Sequence, residues 1–165
     1  MKKTFCVFLG IIAMICLFSY RVVLLSFPSQ PLKNDFDIFD TTTIYSPLQD
    51  VDMQGCTAYL FISQSDLNEV PDELRNSQCW KTNDPTKLET LKHVFKFTGT
   101  GGELGTCDSR FILKRGLTTI YDTRIVLTNG YFVVKGGGAL SKYLDETITL
   151  FESFEHSNEL FIFDL

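Results

Sequence analysis

Apolar residues in this chain follow three patterns: an unbroken block at the N-terminus, several alternating runs, and two stripes at helical spacing. The clearest alternation flanks Asn129-Gly130, a dipeptide that favours a two-residue hairpin turn because both residues tolerate positive φ. Such a turn pairs Leu127 with Phe132 and Ile125 with Val134, placing all four on the core face. Arg124, Thr128, Tyr131 and Lys135 surround Val126 and Val133 on the other face. The preceding hairpin must obey the same parity, since a one-residue slip exchanges the two faces. A two-residue turn at Arg115-Gly116 would throw Phe111 and Leu113 outward. A three-residue loop Lys114-Arg115-Gly116, with Gly116 left-handed, instead pairs Leu113 with Leu117 and Phe111 with Thr119. Cys107, Ser109, Phe111 and Leu113 then face inward with Tyr121 and Ile125.

Thr57 to Ser63 is nearly all apolar and reads as a strand buried on both faces. Ser65 to Asn76 is polar and interrupted by Pro71, which allows a short helical turn at most. Asp84-Pro85 opens a helix: the carboxylate caps free N–H groups, and proline occupies a position whose donor is not needed. Leu88, Leu91 and Phe95 follow on one face. After Gly136-Gly137-Gly138, a second helix is expected from Ala139 to Glu155, with the stripe Leu140, Tyr143, Leu144, Thr147, Ile148, Phe151 and Phe154. Leu160 to Leu165 closes the chain as a last apolar strand. The fold class expected is α+β: an antiparallel sheet of five or six strands, two helices packed on one face, and an N-terminal membrane segment before them.

That segment is residues 1–27. Lys2 and Lys3 precede 16 uncharged residues, Phe5 to Tyr20, and Val22 to Phe27 resume the apolar run after Arg21. From Thr4 to Phe27 there are 24 residues, enough for a span of about 20 if Arg21 snorkels to the interface. Small residues at cleavage positions are lacking near Leu24, Leu25, Phe27 and Pro28, and Ile15 before Cys16 does not suit a lipoprotein signal. An uncleaved anchor is therefore expected, with a cleaved signal and secretion as the alternative. The basic N-terminal flank places the domain across the membrane, in the periplasm or outside. Residues 28–50, with Pro28, Pro31 and Pro47, are expected to be an extended tether, and 51–165 a single domain.

Charge follows the same division. Residues 28–165 carry 12 basic and 20 acidic side chains, a net of −8. A domain of that sign repels phosphate backbones, which argues against nucleic acid and is compatible with a basic protein partner. In an oxidising compartment one disulfide among Cys56, Cys79 and Cys107 is allowed. The favoured pairing is Cys79 with Cys107: Cys107 faces inward at a strand start, and Trp80 anchors its neighbour. A loop of that size would contribute about 3–4 kcal/mol. Cys6 and Cys16 read as inert packing residues within the apolar block.

Sharper motifs fail on inspection. Thr98-Gly-Thr-Gly-Gly-Glu-Leu-Gly105 has Leu104 where a dinucleotide fingerprint needs glycine, and it lacks the Gly-Lys-Ser/Thr of a P-loop. Gly136 to Gly138 reads as a permissive turn before an anion nest. Asp35, Asp37 and Asp40 lack the glycine and distant glutamate of an EF-hand. His93 and His156 have no second ligand at i+3 or i+4. Glu152, Glu155 and Glu159 gather near His156 at a helix C-terminus, where carboxylates are mildly unfavourable. Asp122 and Arg124 read as a surface pair. No catalytic, cofactor or metal residue is assigned. The function expected is a non-enzymatic binding or accessory module of an envelope, masking a basic partner. A small envelope hydrolase and a structural envelope component are the alternatives.

Overall fold

In a computed structural model, residues 10–12, 21–24, 40–99, 108–128, 130–134, 137–139, 141–157 and 159–162 are described. Two units are present, Met1–Ser26 with Asn158–Leu165, and Phe27–Ser157. In the first, β1 (Arg21–Leu24) pairs in parallel with β10 (Glu159–Ile162). Among the described residues, no helix is long and apolar enough to cross a membrane.

The second unit is an α+β fold on an open antiparallel sheet. Its strands are β2 (Cys56–Phe61), β3 (Cys79–Thr82), β4 (Phe97–Gly99), β5 (Arg110–Arg115), β6 (Thr118–Leu127), β7 (Phe132–Val134), β8 (Gly137–Ala139) and β9 (Glu155–His156). They lie in the order β4-β8-β7-β6-β5-β2-β3-β9. The helices are α1 (Pro85–Val94) and α2 (Ser141–Glu152), with a short 3₁₀ turn at Asp72–Leu74. α1 begins as its sequence requires, with the Asp84 carboxylate accepting from the N–H groups of Thr86 and Lys87. α2 is shorter than expected. Gly137–Ala139 joins the sheet between β7 and β4, and Glu155–His156 pairs with β3, so the chain at both ends satisfies its backbone on strands. Cys79–Thr82 is a strand that its short run Cys-Trp-Lys-Thr does not announce.

The β6–β7 hairpin has the expected register, Leu127 opposite Phe132 and Ile125 opposite Val134. The β5–β6 hairpin does not. Its loop is the two-residue Gly116-Leu117, with Gly116 at φ 58 and Leu117 82% exposed at the tip. Arg115 pairs with Thr118 and Lys114 with Thr119, but Leu113 then pairs with Tyr121, leaving Ile120 as an extra residue in β6. Without that bulge Leu113 would oppose Ile120, and Tyr121 and Ile125 would leave the face of Phe111 and Leu113. The described members of the expected inward set face inward, but by a bulge rather than a longer loop; Leu117 does not join Leu113, and Cys107 lies outside the described residues. Ser109, Phe111, Leu113, Tyr121 and Ile125 are all buried.

One hydrophobic cluster joins this face to Leu88, Leu91 and Val94 of α1 and to Leu144, Leu150 and Phe151 of α2. Leu48 belongs to it and is fully buried, although it lies in the stretch expected to be a tether. Tyr45 nearby bridges to Phe97 on the outer edge of β4 by two backbone hydrogen bonds of 2.8 and 2.9 Å. β2 is buried on both faces, as its apolar run implies, since Tyr59 is buried with Ala58 and Leu60.

Phe95, the C-cap of α1, is the pivot of the cluster. Its ring lies 4.6 Å from that of Phe111, 5.1 Å from Phe97 and 5.5 Å from Phe132, with Tyr121 and Phe151 both at 6.4 Å. It therefore ties a helix end to four strands and to α2. Phe95→Ala is expected to cost about 3–5 kcal/mol, and Phe95→Leu clearly less. A urea midpoint that falls at unchanged m value is the measurement.

Candidate functional site

Antiparallel pairing brings the entry of β2 and the exit of β3 to one end of the sheet, because Ala58 opposes Thr82. The turn before β2 and the Asn83–Pro85 link into α1 therefore meet there. Between them lies a cleft of about 450 Å³. Met53, Cys56 and Leu88 back it from the core and are at least 96% buried, so the apolar surface that the cleft exposes comes from neighbours such as Pro85. Asp52 and Glu89 stand at its rim with side chains 70% and 55% exposed. Gln54, Thr57 and Asn83 add polar groups.

Local chemistry builds the turn. The Asp52 carboxylate accepts from the Gln54 N–H at 2.9 Å, Gly55 takes φ 70, and the Cys56 N–H donates to the Met53 carbonyl at 3.1 Å. The Cys56 thiol points to the Asp52 carbonyl at 3.5 Å. From the end of β5, Arg115 donates to the same carbonyl at 2.5 Å and lies 3.5 Å from the Asp52 carboxylate. Glu89 pairs with Lys92 one turn along α1 at 3.0 Å. Chemically the cleft exposes two carboxylates, each beside a cation of the chain itself, together with the polar groups of Gln54 and Asn83.

A second polar cluster lies at Ser63, Ser65, Asp66 and Ser109. Ser109 donates its hydroxyl to Asp66 at 2.5 Å and its N–H at 3.1 Å, and accepts from the Ser63 N–H at 3.0 Å. Ser65 donates to Asp66 at 3.0 Å and is bonded to the Ser63 hydroxyl. Partial burial pushes the Asp66 carboxyl up, but the hydrogen bonds from Ser109, Ser65 and Asp108 outweigh it and hold the group below the usual range. This network ties the loop after β2 to the start of β5, so its hydroxyls are engaged in structure.

The remaining candidates separate. Asp122 pairs with Arg110 rather than Arg124, in a two-pronged contact of 3.0 and 2.5 Å that is mostly buried, while Arg124 is exposed. The bulge in β6 leaves Ile112 opposite Asp122, which sets Arg110 diagonal to the carboxylate. His156 packs against Trp80 with ring centroids 4.1 Å apart and the planes tilted by 52°, and His93 is exposed near the end of α1. Glu152 is raised above the usual carboxylate range, first by burial and then by the charge of Glu73. The Asp40 carboxylate is held well below that range by the hydroxyls of Thr42 and Thr43 and then by their N–H groups.

Cys79 is buried, and no disulfide occurs among the described residues. Cys107, Asp35, Asp37, Gly136 and residues 100–105 lie outside the described residues, as does the side chain of Glu159. Among the described residues no three His, Cys, Asp or Glu side chains converge as a metal-ligand set. The cleft itself was not assigned from sequence. Its signals were Asp52-x-x-Gly55 before one strand and Asn83-Asp-Pro85 after another, which converge only once Cys79–Thr82 is known to be a strand.

Compared with protein-family models, curated proteins and solved structures, the chain matches none.

Asp66→Asn is expected to cost about 1 kcal/mol near pH 7, since the lost charge weakens bonds in a partly screened site. Because the folded pKa lies below the unfolded one, this stabilisation is complete above the unfolded value and fades as pH falls through the folded value. Urea midpoints of the two proteins should therefore converge below about pH 4.

Proposed function

We propose that this chain is an exported protein, held at a membrane by residues 1–27, whose acidic domain is a non-enzymatic binding module for a basic protein partner. The carrying observation is charge: residues 28–165 have a net of −8, and the cleft exposes the Asp52 and Glu89 carboxylates. Basic residues before the apolar block and the acidic chain after it support a cytoplasmic N-terminus and a translocated domain. Charge of this sign steers a basic partner inward and repels acidic competitors.

A small envelope hydrolase is the second reading, favoured by the cleft volume, which falls among those of small-ligand sites. Against it, the one thiol in the cleft is directed to a backbone carbonyl and the serine hydroxyls of the neighbouring network are bound to Asp66 or to one another.

Capture from envelope extracts on the full-length chain tests the reading. A partner retained at about 50 mM salt should elute by about 500 mM, where the Debye length is roughly halved or less. Absence of any salt-sensitive partner would overturn it. Export into an oxidising compartment also predicts that Cys79 and Cys107 are joined. Peptide mapping of the unreduced protein should recover the two cysteines in one cross-linked species, and two separately alkylated peptides would remove the bridge from the account.

A further inference from the structure

We infer that the membrane-held stretch ends before Arg21, and that Arg21–Leu24 is kept in the mature protein as a strand of its fold. This rests on the membrane reading and says where the crossing stops. The backbone changes character within the apolar block. Residues 10–12 are helical, whereas Arg21–Leu24 is extended as β1 and pairs in parallel with β10. One helix running over residues 4–27 would contain both stretches and is incompatible with the second. The helix therefore ends between Ile12 and Arg21.

The hydrocarbon core excludes an open ribbon. Each strand of a two-stranded pair has an edge whose N–H and C=O groups its partner does not reach, and lipid offers them nothing. β1 and β10 form a two-stranded sheet among the described residues. They therefore lie where water or headgroups meet their outer edges. Register adds a second sign. Arg21 stands opposite Glu159, and Val22, Val23 and Leu24 follow opposite Leu160, Phe161 and Ile162. Opposite charges at one position favour this register over a slip by one residue, which would set Arg21 against Leu160.

What precedes Arg21 still suffices for a crossing. Residues 4–20 number 17, a helix of about 26 Å against a hydrocarbon core of about 30 Å. The shortfall is absorbed by local thinning and by Lys2, Lys3 and Arg21 reaching to the headgroups. Ile11 and Ile12 are 47% and 45% exposed, as the lipid-facing residues of such a helix would be. The rival is a cleaved signal. Cleavage beyond residue 24 would cut β1 away from the chain that carries β10, so a protein whose fold includes the pair keeps its N-terminal block.

The test uses the full-length chain in isolated membranes treated with a mild oxidant. Val22→Cys with Leu160→Cys sets two cysteines at partnered positions, about 5 Å apart and within disulfide reach. Val22→Cys with Ile162→Cys is two residues out of register, about 8 Å apart and beyond that reach. Mass spectrometry of the proteolytic peptides should find the first bridge at roughly ten times the yield of the second. The unsubstituted chain recovered from membranes should retain residues 21–24 by intact mass. Leu117→Cys, at the exposed tip of the β5–β6 hairpin, should react with a membrane-impermeant maleimide added to spheroplasts, and the unsubstituted chain far less.

Equal yields from the two pairs, or no bridge from either, overturn the inference. If Leu117→Cys is labelled in that case, the exported-domain reading stands and the crossing runs on through Arg21. A bridge between positions 22 and 160 without maleimide labelling supports the strand pair and removes the exported-domain reading. A recovered chain that lacks residues 21–24 overturns the inference and the membrane anchor together.

Discussion

The extra residue in β6 governs how much of this domain can be buried. An antiparallel sheet has a strict period of two, and β5 and β6 share ten or so inward and outward positions through one hairpin. The Gly116-Leu117 loop alone sets a register in which Leu113 opposes Ile120. Phe111 and Leu113 would then point away from Tyr121 and Ile125. With Ile120 bulged, all four enter one face, and β7 continues it through Phe132 and Val134. Phe95 can contact Phe111, Tyr121 and Phe132 together only because that face is continuous. The packing of α1 therefore depends on a backbone irregularity two strands away.

The same pairing decides where polar chemistry gathers. β2 lies between β3 and β5, antiparallel to both, so the start of β2 meets the end of each. Three chain reversals converge there, and reversals are where exposed carboxylates, amides and glycine accumulate. At the other end of β2, the polar groups of Ser63, Asp66 and Ser109 are bonded to one another. One end of the sheet is thus closed by hydrogen bonds and the other is left as a cleft. That asymmetry follows from strand pairing rather than from composition.

How much was legible in the sequence depends on the range of the signal. Asn129-Gly130 and Asp84-Pro85 each carry their instruction within a few residues, and the β6–β7 register and the start of α1 follow from them. Parity reasoning also identified the inward set of β5 and β6, because burial demands it whatever the loop. It chose a longer loop where the chain uses a bulge, since both restore the same faces. β3 was missed because four residues with one charge carry little periodicity. Its strand state comes from pairing with β2 on one side and Glu155–His156 on the other. The ends of the expected second helix were lost to the sheet for the same reason: non-local pairing outcompeted a helical extension. Arg110 is diagonal to Asp122 across two strands, a relation that spacing along one strand does not reveal.

The cleft was illegible because neither half of it is a motif. Asp52-Met-Gln-Gly55 and Asn83-Asp-Pro85 are ordinary turn sequences, and their chemistry arises from juxtaposition. Net charge had suggested a basic partner, but a charge of −8 acts over the whole surface and within about a Debye length of it. It raises encounter rates without selecting an orientation. Orientation requires a place where charge and shape coincide. Asp52 and Glu89 are exposed, and each already lies beside a cation, Arg115 and Lys92. Under the proposed reading the long-range field accounts for the class of partner, and short-range contacts must account for its orientation.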